Sequence, residues 1–355
     1  MNKTLVVYVA VVALAACGKK NDAPAPAPAP APAPKTVEPA KKPPEAPSPD
    51  PKLVERGAYV AKLAGCAVCH TAIGPTGPDF EHAYGGGLEM PDTFGTWRTP
   101  NITPDKSTGI GSWTDDQIAA AIREGVRPDG KKLFPIMPYA NYNRMTDDDV
   151  KALVAFLHTV KPVERVVAPN KDLKMAPMDM PKPANQPDAA DDPVKHGEYL
   201  ASLMLCSHCH FSPDPKTFAP AGPDKMFSGG LAMQLPMMGT GTLYSRNITS
   251  DKDTGIGKWT AEQIAATIKT MTKPDGKMIS GPMLFLQGQW SQLEDKDIQA
   301  VAAYIHQLPA VKNKVPDSTF KPNARPPGPT GPGPTGPMIP ESRARPAKDA
   351  PVEKK

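Results

Sequence analysis

The pentapeptide Cys-x-x-Cys-His occurs twice, as Cys66-Ala-Val-Cys69-His70 and as Cys206-Ser-His-Cys209-His210. Two cysteines three positions apart on a helical turn share one face. There their thiols can add to the two vinyl groups of a single porphyrin, and the histidine that follows can ligate the iron from the proximal side. The spacing is the attachment signature of a c-type haem. Two copies predict two covalently bound haem c groups, with Cys66, Cys69, Cys206 and Cys209 as attachment residues and His70 and His210 as iron ligands. Other uses of the thiols fit less well. A disulfide framework suits short, Cys-rich chains, whereas this chain has 5 cysteines in 355 residues. A thioredoxin-like pair has no need of the histidine. A structural zinc site would have to gather pairs 140 positions apart.

A haem that moves electrons has both axial positions filled, commonly by His and Met. The chain has 16 methionines, so a methionine alone says little. An internal duplication narrows the choice. Asn101-Ile-Thr-Pro-Asp-Lys-Ser-Thr-Gly-Ile-Gly-Ser-Trp113-Thr114 is echoed by Asn247-Ile-Thr-Ser-Asp-Lys-Asp-Thr-Gly-Ile-Gly-Lys-Trp259-Thr260. The match runs on through Gln117-Ile-Ala-Ala and Gln263-Ile-Ala-Ala, and through Pro128-Asp-Gly130 and Pro274-Asp-Gly276. Met137, in Pro-Ile-Met137-Pro138-Tyr139, and Met283, in Gly-Pro-Met283-Leu284-Phe285, each lie 36 residues beyond the start of their Asn-Ile-Thr block. They are the expected distal ligands. Met90 and Met233 form a rival aligned pair, and Met278 is a weaker competitor of Met283. His208 sits between the motif cysteines and should point away from the iron. His158 and His306 flank the apolar stripe of the last helix, while His82 and His196 have no counterpart. All of these read as structural.

The elements that must position these groups are helical. Asp50-Pro51 and Asp192-Pro193 predict the start of a first helix in each copy, with Asp as N-cap and Pro at the first helical position. Thr114 and Thr260 each open a Thr-x-x-Gln capping box, with Trp113/Ile118 and Trp259/Ile264 placed as hydrophobic staples. A last helix follows Thr146 with Val150, Leu153, Val154 and Leu157 on one face, and the second copy repeats that face as Ile298, Val301, Ala302 and Ile305. No alternating strand pattern of useful length is present.

This arrangement over residues 51–165 and 191–312 resembles the class I cytochrome c domain, and especially the haem-binding repeats of cytochrome c subunits serving bacterial alcohol dehydrogenases. The resemblance implies an all-α fold of two tandem class I cytochrome c domains. It implies close crossing of first and last helices at Gly57 and Gly197, against Phe156 and Tyr304. It also implies that the carbonyls of Pro78 and Pro223 accept the ring N–H of the proximal histidines, and that Arg98, Arg246, Trp113 and Trp259 are candidates to reach the haem propionates. A filled His/Met pair blocks substrate at the iron, so the expected role is one-electron transfer rather than catalysis. The expected partners are redox proteins or a membrane-associated dehydrogenase or reductase of which the chain is the electron-transfer subunit. A dihaem cytochrome c peroxidase is the enzymatic alternative; it would need one open iron position. The net charge of +4 gives no reason to expect nucleic-acid binding.

Residues 1–16 read as a signal peptide with Lys3 in the n-region and an apolar run too short to span a bilayer. Its end, Leu14-Ala15-Ala16-Cys17, resembles a bacterial lipobox, which makes Cys17 the expected lipidation site. Residues 17–50 form an Ala/Pro-rich linker expected to be polyproline II. At ~3.1 Å per residue it could reach up to ~100 Å. Residues 166–190 read as an inter-domain linker and 313–355 as a disordered Pro-rich tail. Together these features predict an extracytoplasmic protein, lipid-anchored to a bacterial membrane and facing the periplasm. Gly18 lacks the charge of an inner-membrane retention signal, which points toward the outer membrane.

Overall fold

The computed structural model describes residues 49–323, apart from 75–76, 93–94, 175, 185–190, 217–219 and 237. The expected signal peptide, Cys17, nearly all of the 17–50 linker and the tail beyond residue 323 lie outside the described residues.

Five of the helices begin on a side-chain cap. α1 (Pro51–Leu63) is capped by the Asp50 carboxylate, which accepts from the Lys52 N–H at 2.9 Å. It is followed by α2 (Cys66–Cys69). α3 (Asp115–Arg123) opens on the Thr114/Gln117 capping box. After α4 (Tyr139–Tyr142), α5 (Asp147–Leu157) starts at Thr146, whose hydroxyl accepts from the Asp149 N–H. The series then recurs. α6 (Pro193–Leu203) is capped by Asp192, α7 (Cys206–Cys209) holds the second motif, and α8 (Ala261–Thr270) opens on the Thr260/Gln263 box. α9 (Met283–Trp290) and α10 (Asp295–His306) complete it. α10 departs from the pattern: its N-cap residue, Glu294, makes no side-chain capping bond.

The core of each half is a helix crossing. α1 packs on α5, and α6 on α10. At the crossings the backbones come so close that a Cβ on Gly57 would lie 1.9 Å from the Ala152 carbonyl oxygen, and one on Gly197 2.0 Å from that of Ala300. Phe156 and Tyr304 flank these points as expected. The predicted stripes are buried in full: Val150, Leu153, Val154 and Leu157 in α5, and Ile298, Val301, Ala302 and Ile305 in α10. Burying one such large side chain is worth about 1.5–3 kcal/mol, so this face anchors each half. The two hydrophobic clusters interlock. Leu203 from α6 lies in the first cluster, and Leu63 from α1 lies in the second.

Short antiparallel pairs edge the helices, a departure from a purely helical expectation. Glu89–Asp92 pairs with Gly95–Arg98, and Ala232–Met233 with Leu243–Tyr244. At two to four residues per strand they are too short to show a period-two signal in sequence. They also redraw two expected boundaries. Lys171 pairs with Thr96, so the start of the 166–190 segment is bound to the first half rather than free. Lys321–Pro322 pairs with Gly239–Thr240, so residues 313–323 belong to the second half rather than to the tail. In both places the chain leaving the last helix satisfies backbone groups on an otherwise open strand edge.

Candidate functional site

Both attachment helices follow a single residue in the left-handed region, Gly65 at φ +66° and Leu205 at φ +61°. This residue turns the chain from the long helix into the motif. The motif histidine then closes the short helix, with the His70 N–H donating to Cys66 O at 2.9 Å and the His210 N–H to Cys206 O at 3.0 Å. The carbonyls of His70 and His210 accept from Gly86 N and Gly229 N at 2.9 and 3.0 Å. The backbone around each histidine is therefore pinned on both sides.

The ring is fixed by a third bond. His70 Nδ1 lies 2.8 Å from the Pro100 carbonyl oxygen, and His210 Nδ1 lies 2.7 Å from that of Arg246. A carbonyl can only accept, so Nδ1 carries the proton and Nε2 keeps its lone pair. That is the tautomer an iron ligand needs, held in orientation by its outer partner. Pro78 and Pro223, expected in this role, do not fill it. Pro78 pairs with Ile73 in a short strand, and Pro223 opens a 3-10 turn. Pro100 and Arg246 are the residues immediately before the two Asn-Ile-Thr blocks, which was the available signal. The block is a clamp. Asn101 Oδ1 accepts from Thr103 N and Oγ1 at 2.9 and 2.7 Å while its Nδ2 donates to Val163 O at 2.6 Å. Asn247 repeats this with Thr249 at 3.0 and 2.7 Å and with Val311 O at 2.8 Å. It ties the carbonyl-bearing loop to the chain leaving the last helix.

Burial sets the electrostatics. It holds the His70 and His210 imidazoles below the ordinary histidine range, against the opposing effect of their carbonyl bonds, which keeps them neutral. Burial also pushes the Cys66 and Cys206 thiols up to about 12, and Cys209 to about 11. These three are thus neutral thiols, and none of the four motif sulfurs is in a disulfide. The donor set suits covalent haem: two thiols on one short helix and an adjacent neutral imidazole with a free Nε2. Met137 packs against the cluster that also meets Cys66, and Met283 against the cluster that meets Cys206. The second cluster further contains the Trp290 indole N–H, buried and without a protein acceptor. Such a donor fits a pocket that receives a group bearing acceptor atoms.

Other candidates are engaged elsewhere. Met90 and Met233 sit in the strand pairs, opposite Trp97 and Leu243, and Met278 is 58% exposed. The Arg98 guanidinium donates to Glu89 and to the Pro169 carbonyl, and that of Arg246 to the Pro316 carbonyl. Trp113 lies under the Arg127 guanidinium, while Trp259 packs at the edge of the second cluster. His82 and His158 pair with Asp79 and Asp115. His196 pairs with Asp297.

A helical scaffold presenting Cys-x-x-Cys-His with its imidazole in the ligating tautomer defines a c-type haem protein. The family model for cytochrome c matches residues 54–161. The chain is 31% identical over 276 residues to the cytochrome c subunit of alcohol dehydrogenase (quinone) from Gluconobacter oxydans, covering 73% of this chain and 55% of that protein. It is 33% identical over 273 residues to the fructose dehydrogenase cytochrome subunit of Gluconobacter japonicus, covering 72% and 53%. It is 30% identical over 278 residues to a diheme cytochrome c-type protein of Cereibacter sphaeroides, covering 72% and 86%. The chain belongs to the cytochrome c family. It spans little more than half the length of the two dehydrogenase cytochrome subunits.

Proposed function

We propose that the protein is a dihaem electron carrier built from two tandem class I cytochrome c domains, each holding one haem c with His/Met axial ligation. Bound haem supplies a one-electron iron couple. In this reading Cys66 and Cys69 hold one group and Cys206 and Cys209 the other, while His70/Met137 and His210/Met283 provide the axial ligands. The observation that carries it is the twofold occurrence of one geometry: histidine N–H to the carbonyl before Asn-Ile-Thr, at 2.8 and 2.7 Å. The relative named as diheme supports the count of two. A thioether on each distal side leaves no open coordination position, which separates this reading from a peroxidase.

The relatives named as dehydrogenase cytochrome subunits support a membrane-associated dehydrogenase as electron donor. The Leu-Ala-Ala-Cys17 sequence supports a lipid anchor facing the periplasm, with the Ala/Pro-rich segment as its tether. No described helix is long and apolar enough to cross a membrane.

Haem stoichiometry and near-infrared spectra of the purified protein test the reading. Two haems per chain and two thioether-to-iron bands are expected, with no turnover of peroxide. Met137→Ala and Met283→Ala should each remove one band. One haem per chain, or a Met283→Ala variant that keeps both bands, would refute the corresponding assignment.

A further inference from the structure

We propose that Tyr59 and Tyr199 are positioning residues that lock the two halves into a pseudo-twofold pair, with the two attachment helices facing each other, and thereby set the rate of electron exchange between the two sites. The proposal rests on the dihaem reading and goes beyond it.

The contacts are reciprocal. The Tyr59 hydroxyl, on α1, donates to Asp297 Oδ2 on α10 at 2.6 Å and accepts from the Glu294 N–H at 3.2 Å. The Tyr199 hydroxyl, on α6, donates to Asp149 Oδ2 on α5 at 2.6 Å and accepts from the Thr146 N–H at 3.3 Å. Tyr59 and Tyr199 occupy equivalent places, two residues after the crossing glycines Gly57 and Gly197. Asp149 and Asp297 are likewise the third residues of α5 and α10. Each tyrosine therefore reaches into the other half and helps finish the start of its last helix. Such an exchange, in which one patch meets its own equivalent, is how a twofold interface is built between separate subunits. Here it is built within one chain. In both helices the tyrosine oxygen takes up the N–H of the N-cap residue, Thr146 in α5 and Glu294 in α10.

The carboxylates are 4% (Asp149) and 3% (Asp297) exposed. A buried carboxylate is tolerated only when its oxygens are bonded and its charge is answered. The partners in the same half differ. Arg56 Nε and Nη2 bond Asp149 at 2.6 and 2.8 Å, and His196 Nε2 lies 3.0 Å from Asp297 Oδ1. The tyrosine supplies the remaining bond across the interface.

The same interface carries further contacts beside each attachment motif. Asn141, on α4, donates to Ser207 Oγ inside the second motif at 3.2 Å and to Ser202 O at 3.4 Å. Ser202 Oγ returns a bond to Asn141 O at 3.3 Å. On the other side, a Cβ on Gly65, immediately before the first motif, would meet Leu286 Cδ2 of α9 at 3.1 Å. Exchange across this face moves one electron from the reduced to the oxidised site and alters no bond, so its rate depends on how rigidly the face is held.

The test uses the haem-loaded full chain carrying a site-specific protease sequence after Ala184, with and without Tyr59→Phe/Tyr199→Phe. Phenylalanine keeps the ring and removes only the hydroxyl. After cleavage, the halves of the otherwise unchanged protein should co-elute on native size-exclusion chromatography. The halves of the double variant should bind each other about a hundredfold more weakly, roughly tenfold per hydroxyl-to-carboxylate bond. Haem count and visible spectrum should stay unchanged. After a pulse of a small one-electron reductant, equilibration between the two sites in the uncleaved double variant should be at least tenfold slower. Separation of the unsubstituted halves, or a double variant that associates and equilibrates like the parent, would overturn the proposal. If the double variant loses haem, the single variants decide: association unchanged in both would equally overturn it. One haem per chain in the parent would instead show failure of the dihaem reading, a result read independently from stoichiometry.

Discussion

In the first half, Met137 lies in a turn closed by the Tyr139 N–H to Met137 O at 2.8 Å, and Tyr139 itself is fully buried with its hydroxyl accepting from Met178 N. In the second half, Met283 is the first residue of α9, after Gly281 at φ +84°, and Phe285 beside it is 43% exposed. The loops that carry these two methionines have diverged. The surroundings of the motif histidines have not: the same ring bond is made to Pro100 in one half and Arg246 in the other. The contrast has a physical cause. The proximal bond uses a backbone carbonyl, which any residue supplies, so side chains there can drift without cost to the histidine. A methionine side chain, by contrast, is placed by its own loop, and a changed loop conformation changes where it is presented.

A second difference lies beneath the attachment helices. Tyr142 donates to the Ala64 carbonyl at 2.7 Å, whereas Trp290, buried in the second cluster, has no acceptor among the described residues. The first half closes its core with its own hydrogen bond, and the second leaves a donor unmet.

Substitutions in matched positions break or sharpen this comparison. The largest effect is expected where the halves agree. Gly57→Ala and Gly197→Ala each force a Cβ to within 2.0 Å of a carbonyl oxygen. Overpacking of this kind should cost at least about 2 kcal/mol in either half, read from denaturant unfolding of the haem-loaded protein. A loss in one half alone would show that the crossings are not equivalent.

Alkaline pH comes next. Burial, with Asp297 as the second cause, raises Tyr59 above the ordinary tyrosine range. Burial, with Asp149 second, raises Tyr199. Glu294 also faces Tyr59, and the Arg56 guanidinium lies over the Tyr59 ring. The folded state thus holds these protons more tightly than the unfolded chain. Their contribution to stability is complete below the unfolded value of about 10 and is lost as pH rises above it toward the folded values. Association of the cleaved halves should weaken above pH ~10, and Tyr59→Phe/Tyr199→Phe should flatten that dependence. An equally steep dependence in the double variant would assign it to other groups.

The residue before each motif separates the halves. Gly65→Ala should cost about 1 kcal/mol, because a left-handed conformation penalises a Cβ. Leu205 already bears that strain at φ +61°. Leu205→Gly relieves it but loses contact with the first cluster, so its net effect on thermal unfolding should be smaller than that of Gly65→Ala. The smallest change is expected from His196→Arg. It would give Asp297 the two-pronged partner that Asp149 has in Arg56, and stabilise the second half by under ~1 kcal/mol. A destabilisation would mean that the space around His196 cannot take the longer side chain.

Much was legible before any coordinates. Asp50-Pro51, the two Thr-x-x-Gln boxes and the stripes of α5 and α10 fixed the helices, because capping and periodicity are local and each carries its own signal. The attachment residues and proximal histidines were legible for the same reason, since their chemistry is spelled out within five consecutive residues. The ring partners of His70 and His210 were not. They lie 30 and 36 residues downstream, and a carbonyl leaves no mark on residue type. The short strand pairs that bind residues 171 and 321 were equally silent, since their hydrogen bonds are also backbone to backbone. Nor could spacing reveal that Tyr59 meets Asp297 across 238 positions. Sequence alone determined which groups could hold haem and where the helices that carry them begin. Only the tertiary structure decided which carbonyl orients each imidazole and how the halves face one another, because those choices depend on where distant backbone and buried carboxylates are brought together.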